Sequence, residues 1–410
     1  MKRFLLILIT LIILIGVGVF IYFYFFANKA TVVVAPPGTT TLPISGNNGT
    51  TQSGGGNKNP NSSASSIPVS VAPRLVEINA GPVVNGEVVL DVSIKNATTS
   101  ASTTPVISSD VIAKYIERES GNVFSYSVKD NKNTRVSNKT LPGIQSATWL
   151  PNGLTAFVRY LSGNDFSTIN TYAFMADGSN GFFLQQNLSS IDISSTSVLM
   201  LASGVNGSSA SLANTDGTKA SNVFTTPLSQ LRVSFAGKKY LAYTKPSSGI
   251  DGYAFIVDST GHFSRIAGPR SGLTALASPS GAWVLLSYPL NNDLQMELVN
   301  TSTGEIVSLP VATIADKCVW TNDESSIYCG IPTNVSSDAS YPDDWYQGAF
   351  QFSDRIWKID VSGRFAQLTL DFSSATNGVS LDAVALSVDQ NNTELVFMNK
   401  NDNSLWGYQL

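Results

Sequence analysis

Few residues in this chain have the types and spacing that catalysis needs. The single histidine, His262, follows a hairpin glycine in DSTGHFSRI, where a solvated turn residue is expected rather than a catalytic base. Any serine–histidine–acid triad would have to use it. None of the many serines lies in a G-x-S-x-G elbow, and no H-E-x-x-H, Walker A or C-x-x-C motif occurs. Metal sites built on histidine or cysteine are excluded on the same grounds, no cofactor is implied, and no catalytic residue is assigned. Asp130, Asp389 and Asp402 lie in KDNKN, DQNN and KNDNS, where calcium could be held, but tight turns select Asp and Asn anyway.

The densest group of recognition residues lies in PTNVSSDASYPDDWYQGAFQFSD, residues 332–354. Tyr341, Asp343, Asp344, Trp345 and Tyr346 are its candidate ligand-binding residues. Rings supply rigid apolar area and acids supply direction, which suits a sugar face or a basic peptide. The competing reading is a lid whose aromatics pack on their own repeat. The two cysteines flank a turn in KCVWTNDESSIYCGIP. If Trp320 faces Ile327 across that hairpin, Cys318 faces Cys329, at a separation compatible with a disulfide. The alternative is two small buried thiols in a reducing compartment.

The elements that must position these residues repeat. A hairpin turn recurs at Asp177-Gly178, Asp216-Gly217, Asp258 to Gly261, Thr301 to Gly304 and Asp360 to Gly363, with successive glycines 39, 44, 43 and 59 residues apart. Short apolar strands flank each turn. An earlier turn recurs in register, as WLPNG at Trp149–Gly153, SFAGKK at Ser234–Lys239, SPSG at Ser278–Gly281, WTNDES at Trp320–Ser325 and SVDQNN at Ser387–Asn392. The unit is four short strands in roughly 42 residues, the signature of propeller blades that bury their faces only by stacking on neighbours.

At these residues the chain resembles the TolB-like, WD40-related (PD40) propellers, whose repeat carries an S-P-D-G turn between its first two strands. PNG, SPSG and TNDES look like degenerate copies. The resemblance covers roughly residues 74–410 and implies an all-β propeller. Full repeats begin near Ser146, Asp192, Gln230, Thr274, Asp316 and Asp382, and an irregular one spans Gly81 to Asn138, giving seven blades. Six remain if that irregular stretch forms no blade. The last repeat supplies only three strands before Leu410, so Arg74 to Ile78, RLVEI, is expected to complete it and close the ring. On this reading Asp192, Asp316 and Asp382 stand just before the first strand of a blade, on the face where propellers bind ligands. The aromatic stretch becomes an insertion between the second and third strands of the sixth blade, overhanging the channel on that face.

Residues 4–26 form an apolar run, and about 20 such residues cross a bilayer core of ~30 Å. Lys2 and Arg3 precede it and Lys29 follows, so the N-terminus is expected in the cytoplasm and the remainder outside the cytoplasmic membrane. A cleaved signal peptide is the competitor, but bulky Tyr22 to Phe26 and the spacing of Ala27 and Ala30 suit cleavage poorly. Residues 30–73, rich in Gly, Ser, Thr, Asn and Pro, read as a flexible linker. Beyond it, 21 basic against 29 acidic residues give a net charge of −8, a surface that repels nucleic acid. The expectation is thus a membrane-anchored binding or scaffolding module for a protein, a peptide or an envelope glycan. The alternative is a propeller hydrolase or lyase using carboxylates near the channel.

Overall fold

Each repeat folds into one four-stranded antiparallel sheet, because its apolar strands are short and its Asx-Gly turns reverse the chain every few residues. The computed structural model describes residues 74–95, 107–291 and 293–410. It contains seven such sheets, a seven-bladed propeller. The apolar run at 4–26 and the linker at 30–73 lie outside the described residues. Among the described residues no helix is long and apolar enough to cross a membrane.

Six blades use four consecutive strands, and the seventh is closed from both sides. Its order is Leu75–Asn79, Leu405–Gln409, Glu394–Asn399, Ala383–Val388, so the early strand lies outermost. Leu75 stands opposite Tyr408 and Val76 opposite Gly407. Arg74 Nη2 donates to the Gln409 carbonyl at 2.8 Å, and its guanidinium lies 5.0 Å from the Tyr408 ring centroid.

Burial follows the stacking. In the second strand of the seventh blade every residue from Glu394 to Asn399 is buried, whereas the outermost strand of the first blade, Lys132–Arg135, is exposed throughout. Period-two alternation fades where both faces of a sheet are covered. Leu285, Leu298, Ile327 and Ile359 share one apolar layer joining blades five and six. Gly86 shows how tightly the first blade meets the second: its φ is +108°, and a Cβ there would lie 2.0 Å from the Ala147 carbonyl oxygen.

The outer hairpins share one device. Asp177, Asp216 and Asp258 each accept the backbone N–H two residues on, at 2.8, 2.9 and 2.8 Å, and the hydroxyl of that same Ser or Thr. Asn300 does likewise with Ser302. His262 is exposed, and its backbone N–H donates to Asp258. Asp389 accepts from the Thr393 and Glu394 amides, and Asp402 from the Ser404 amide, so both carboxylates serve turns. Among the described residues no group of His, Cys, Asp and Glu is arranged to hold a metal ion. Cys318 stands opposite Cys329 and the two are disulfide-bonded, with Cα atoms 4.1 Å apart.

Candidate functional site

The insertion separates strands Ser326–Pro332 and Asp354–Asp360 of the sixth blade. It contains a single helix, Asp343–Gln347, with two acids in its first turn, where they favour the helix dipole, and Gly348 in the left-handed conformation at its end. Its rings turn inward. Tyr341, Trp345 and Phe352 are 1%, 3% and 1% exposed, and Tyr341 stacks on Phe352 with centroids 5.4 Å apart. Tyr341 and Trp345 both pack on Phe352, whose centroid lies 5.4 and 6.2 Å from theirs, because rings gain more by covering one another than by facing water.

The acids of the insertion brace it. Asp343 Oδ2 accepts from the Ser248 amide at 2.7 Å and from the Ser247 and Ser248 hydroxyls, reaching a loop of the fourth blade. Asp344 accepts from the Ser340 amide at 2.7 Å. Tyr341 Oη accepts from the Ser336 amide at 3.0 Å.

Beneath the helix is a buried ionic cluster. Lys317, with no exposed surface, lies 2.7 Å from Asp354 Oδ2 and pairs also with Asp382 Oδ1. Asp382 Oδ2 accepts from Trp345 Nε1 at 2.9 Å and from the Phe352 amide at 3.1 Å. Asp354 Oδ2 takes the Ala383 amide at 2.7 Å, while its Oδ1 is buried without a partner. Burial pushes the Asp354 carboxyl up, against the pull of Lys317.

Above this cluster lies a cavity of about 400 Å³. Its walls come from Asn85 of the first blade, Arg232 of the fourth, Asp316 ahead of the sixth, Trp345 and Tyr346 of the insertion, and Val384, Ala385, Met398 and Lys400 of the seventh. Segments leading four different blades can meet only about the axis, so the cavity is the mouth of the central channel. Arg232 Nη1 donates to Asp316 Oδ2 at 3.0 Å and to Tyr346 Oη at 3.1 Å, and Tyr346 donates to Asp316 at 2.7 Å. Burial works against the Arg232 charge, but Tyr243, Asp316 and Tyr346 more than offset it, and the guanidinium is held firmly protonated. Burial and the Asp316 charge push Tyr243 up to about 12 and raise Tyr346 as well. Lys400 Nζ lies 5.2 Å from the Trp345 ring centroid, and burial lowers its pKa.

Ala385 has φ +51°, in the left-handed region that side chains other than glycine rarely adopt. It sits at a bulge where the pairing of Ala383–Val388 with Glu394–Asn399 slips between Val384 and Ser387. Such strained positions recur at functional sites.

Of the five residues picked from the insertion, Trp345 and Tyr346 line the cavity, and Tyr341, Asp343 and Asp344 position the segment carrying them. Asp316 and Asp382 precede their strands as expected. Asp192 does not: it is the fifth residue of Leu188–Ile193, because that strand starts earlier than the apolar pattern implied. Its carboxylate accepts the Phe235 and Ile193 amides, and burial nevertheless pushes it up to about 6. Arg232, Lys317, Ala385 and Lys400 went unread. The available signal was a cation inside or beside an apolar strand, in LRVSFA, ADKCVW and ELVFMNK.

No family model matches the sequence, and no curated protein matches it. Solved structures do. The oligogalacturonate lyase of Vibrio parahaemolyticus is 7% identical over 80% of this chain and 98% of its own, with a TM-score of 0.50. TolB from Acinetobacter baumannii is 12% identical over 79% and 80% of the two chains (TM-score 0.43). The β-propeller domain of the trilobed protease of Pyrococcus furiosus is 10% identical over 73% and 91% (TM-score 0.48). At these identities the likeness to the lyase is one of fold, and it agrees with the propeller described above.

Proposed function

We propose that the chain is a binding module, held at the outer face of the cytoplasmic membrane by residues 4–26, whose ligand enters the channel mouth between Arg232, Asp316, Tyr346 and Lys400. The ligand is a protein, a peptide or an envelope glycan. The observation that carries this reading is the meeting, in one cavity, of a charged network from separate blades, an unpaired Lys400 and the bulged Ala385. The hydrogen bonds of the wall suit binding better than catalysis. Both phenols are pushed away from phenolate, and Asp316 is committed to Arg232 and Tyr346. A hydrolase or lyase would need a free carboxyl, whereas the two acids pushed up to about 6 are already engaged, Asp192 by two amides and Asp354 by Lys317 and the Ala383 amide.

The test is retention of envelope proteins, peptides and glycans on the immobilised protein. Arg232→Ala with Tyr346→Ala should lose a species that wild type retains while keeping the wild-type circular dichroism spectrum. Retention unchanged by the double variant would remove the channel mouth as the site. For the anchor, protease added to intact cells or spheroplasts should release the propeller through residues 30–73. A mature chain beginning near Ala30 would sink the anchor reading.

A further inference from the structure

Lys400 is the one cation of the cavity wall that has no acid. Among the described residues its ammonium has neither an ion pair nor a hydrogen bond, although the side chain is half-buried at the channel mouth. The ammonium keeps access to the cavity, and its one close neighbour of opposite character is a ring face 5.2 Å away. No nearby carboxylate is available to it. Asp382 spends one oxygen on Lys317 and the other on Trp345 Nε1 and the Phe352 amide. Asp316 is taken by Arg232 and Tyr346.

Arg232 stands on the same wall and gives Nη1 to Asp316 and Tyr346, while Tyr243 also engages its guanidinium, so part of its five-donor fork remains. Beside these cations the half-buried Ala385 and Tyr346 carry apolar surface of the cavity wall, whereas Val384 and Met398, 5% and 4% exposed, show little. The volume, about 400 Å³, suits a small group rather than a folded surface.

We propose that the channel mouth takes a carboxylate carried on a short apolar stem, with the carboxylate on Lys400 and Arg232 and the stem against Ala385 and Tyr346. This rests on the reading of the mouth as the binding site and goes beyond it by fixing the ligand's chemistry. An ammonium and a guanidinium on one carboxylate form charge-assisted hydrogen bonds, about twice as strong as neutral ones. Two sources share this chemistry: the C-terminus of a peptide ending in an apolar residue, and a free aliphatic acid.

The test is calorimetric titration of the full-length protein, in mild detergent, with N-acetyl-leucyl-leucine, its C-terminal amide and 4-methylpentanoate. The acid dipeptide should bind at least tenfold more tightly than the amide. Lys400→Met should erase that difference while leaving the melting temperature near wild type, and Lys400→Arg should keep it. A dipeptide at least tenfold tighter than 4-methylpentanoate identifies a peptide C-terminus as the source, and equal affinities identify the free acid. Acid and amide binding equally, or a preference that survives Lys400→Met, overturns the carboxylate while leaving the mouth as a binding site. Absence of binding by all three overturns it too, and the retention experiment then decides the mouth on its own.

Discussion

Trp345 Nε1 donates to Asp382 Oδ2 across 2.9 Å, so the insertion of the sixth blade is fastened to the residue that leads into the seventh. The same carboxylate pairs with Lys317, which also holds Asp354 at the foot of the insertion. One ammonium thus sets the position of the helix over the channel.

Removing that ammonium should be severe. Lys317→Met leaves two carboxylates facing each other in a dry site, a loss of about 3–5 kcal/mol by analogy with broken buried pairs. Adding Asp354→Asn should return part of it, since one of the two charges is then gone. Urea denaturation of the three proteins measures both effects, and a Lys317→Met variant as stable as wild type would show that the cluster holds nothing.

Ring closure makes a second prediction. Losing Leu75–Asn79 leaves the seventh blade three-stranded, with the edge of Leu405–Gln409 unpaired and open to other chains. Deleting residues 74–80 should lower the melting temperature markedly and promote aggregation, while deleting residues 31–70 should do almost nothing. Equal effects from the two deletions would contradict closure by that strand.

What the sequence made legible was whatever repeats. The Asx-Gly hairpins, the inner turns, the incomplete last repeat and the opposed Cys318 and Cys329 each follow from local pattern, and local pattern in a propeller is nearly the whole fold. The channel mouth was half legible. Asp316, Trp345 and Tyr346 drew notice through residue type, but Arg232 and Lys400 come from blades four and seven, and only closure of the ring brings them together. For Trp345 the sequence left a binding ring and a packed lid both open, because aromatic density in a long loop looks the same whether the rings face water or a neighbour. Lys317 was overlooked because a buried lysine is made tolerable by two acids 37 and 65 residues further on.

The disulfide predicts a simple outcome. Cys318 and Cys329 are 11 residues apart, and closing a loop of that order removes roughly 2–3 kcal/mol worth of chain entropy from the unfolded state. Intact mass should rise by two hydrogens on reduction, and Cys318→Ala with Cys329→Ala should lower stability by about that amount. Two thiols that alkylate freely in the native protein would count against the bond.

The last prediction is the pH of greatest stability. Burial pushes Glu394 up to about 7 and Asp192 up to about 6, and it raises Glu87 and Asp354 as well. A carboxyl whose folded value exceeds its unfolded value of ~4 binds more protons in the folded state between those two values, so its contribution grows as pH falls through that window and is lost as pH rises. The hairpin acids act in the opposite sense. Hydroxyl and amide donors hold Asp177, Asp216 and Asp258 below the usual range, and so too Asp360, where the Gly363 amide leads. Their contribution is present above the unfolded value and disappears as pH drops through the lower folded one. Together the two sets place the maximum near pH ~5 rather than at neutrality. The melting temperature should therefore climb from pH ~8 to ~5 and fall below ~4, and Glu394→Gln should flatten the upper part of the climb. A melting temperature that rises steadily from pH ~5 to ~8 would show that these buried carboxyls are not protonated in the folded chain.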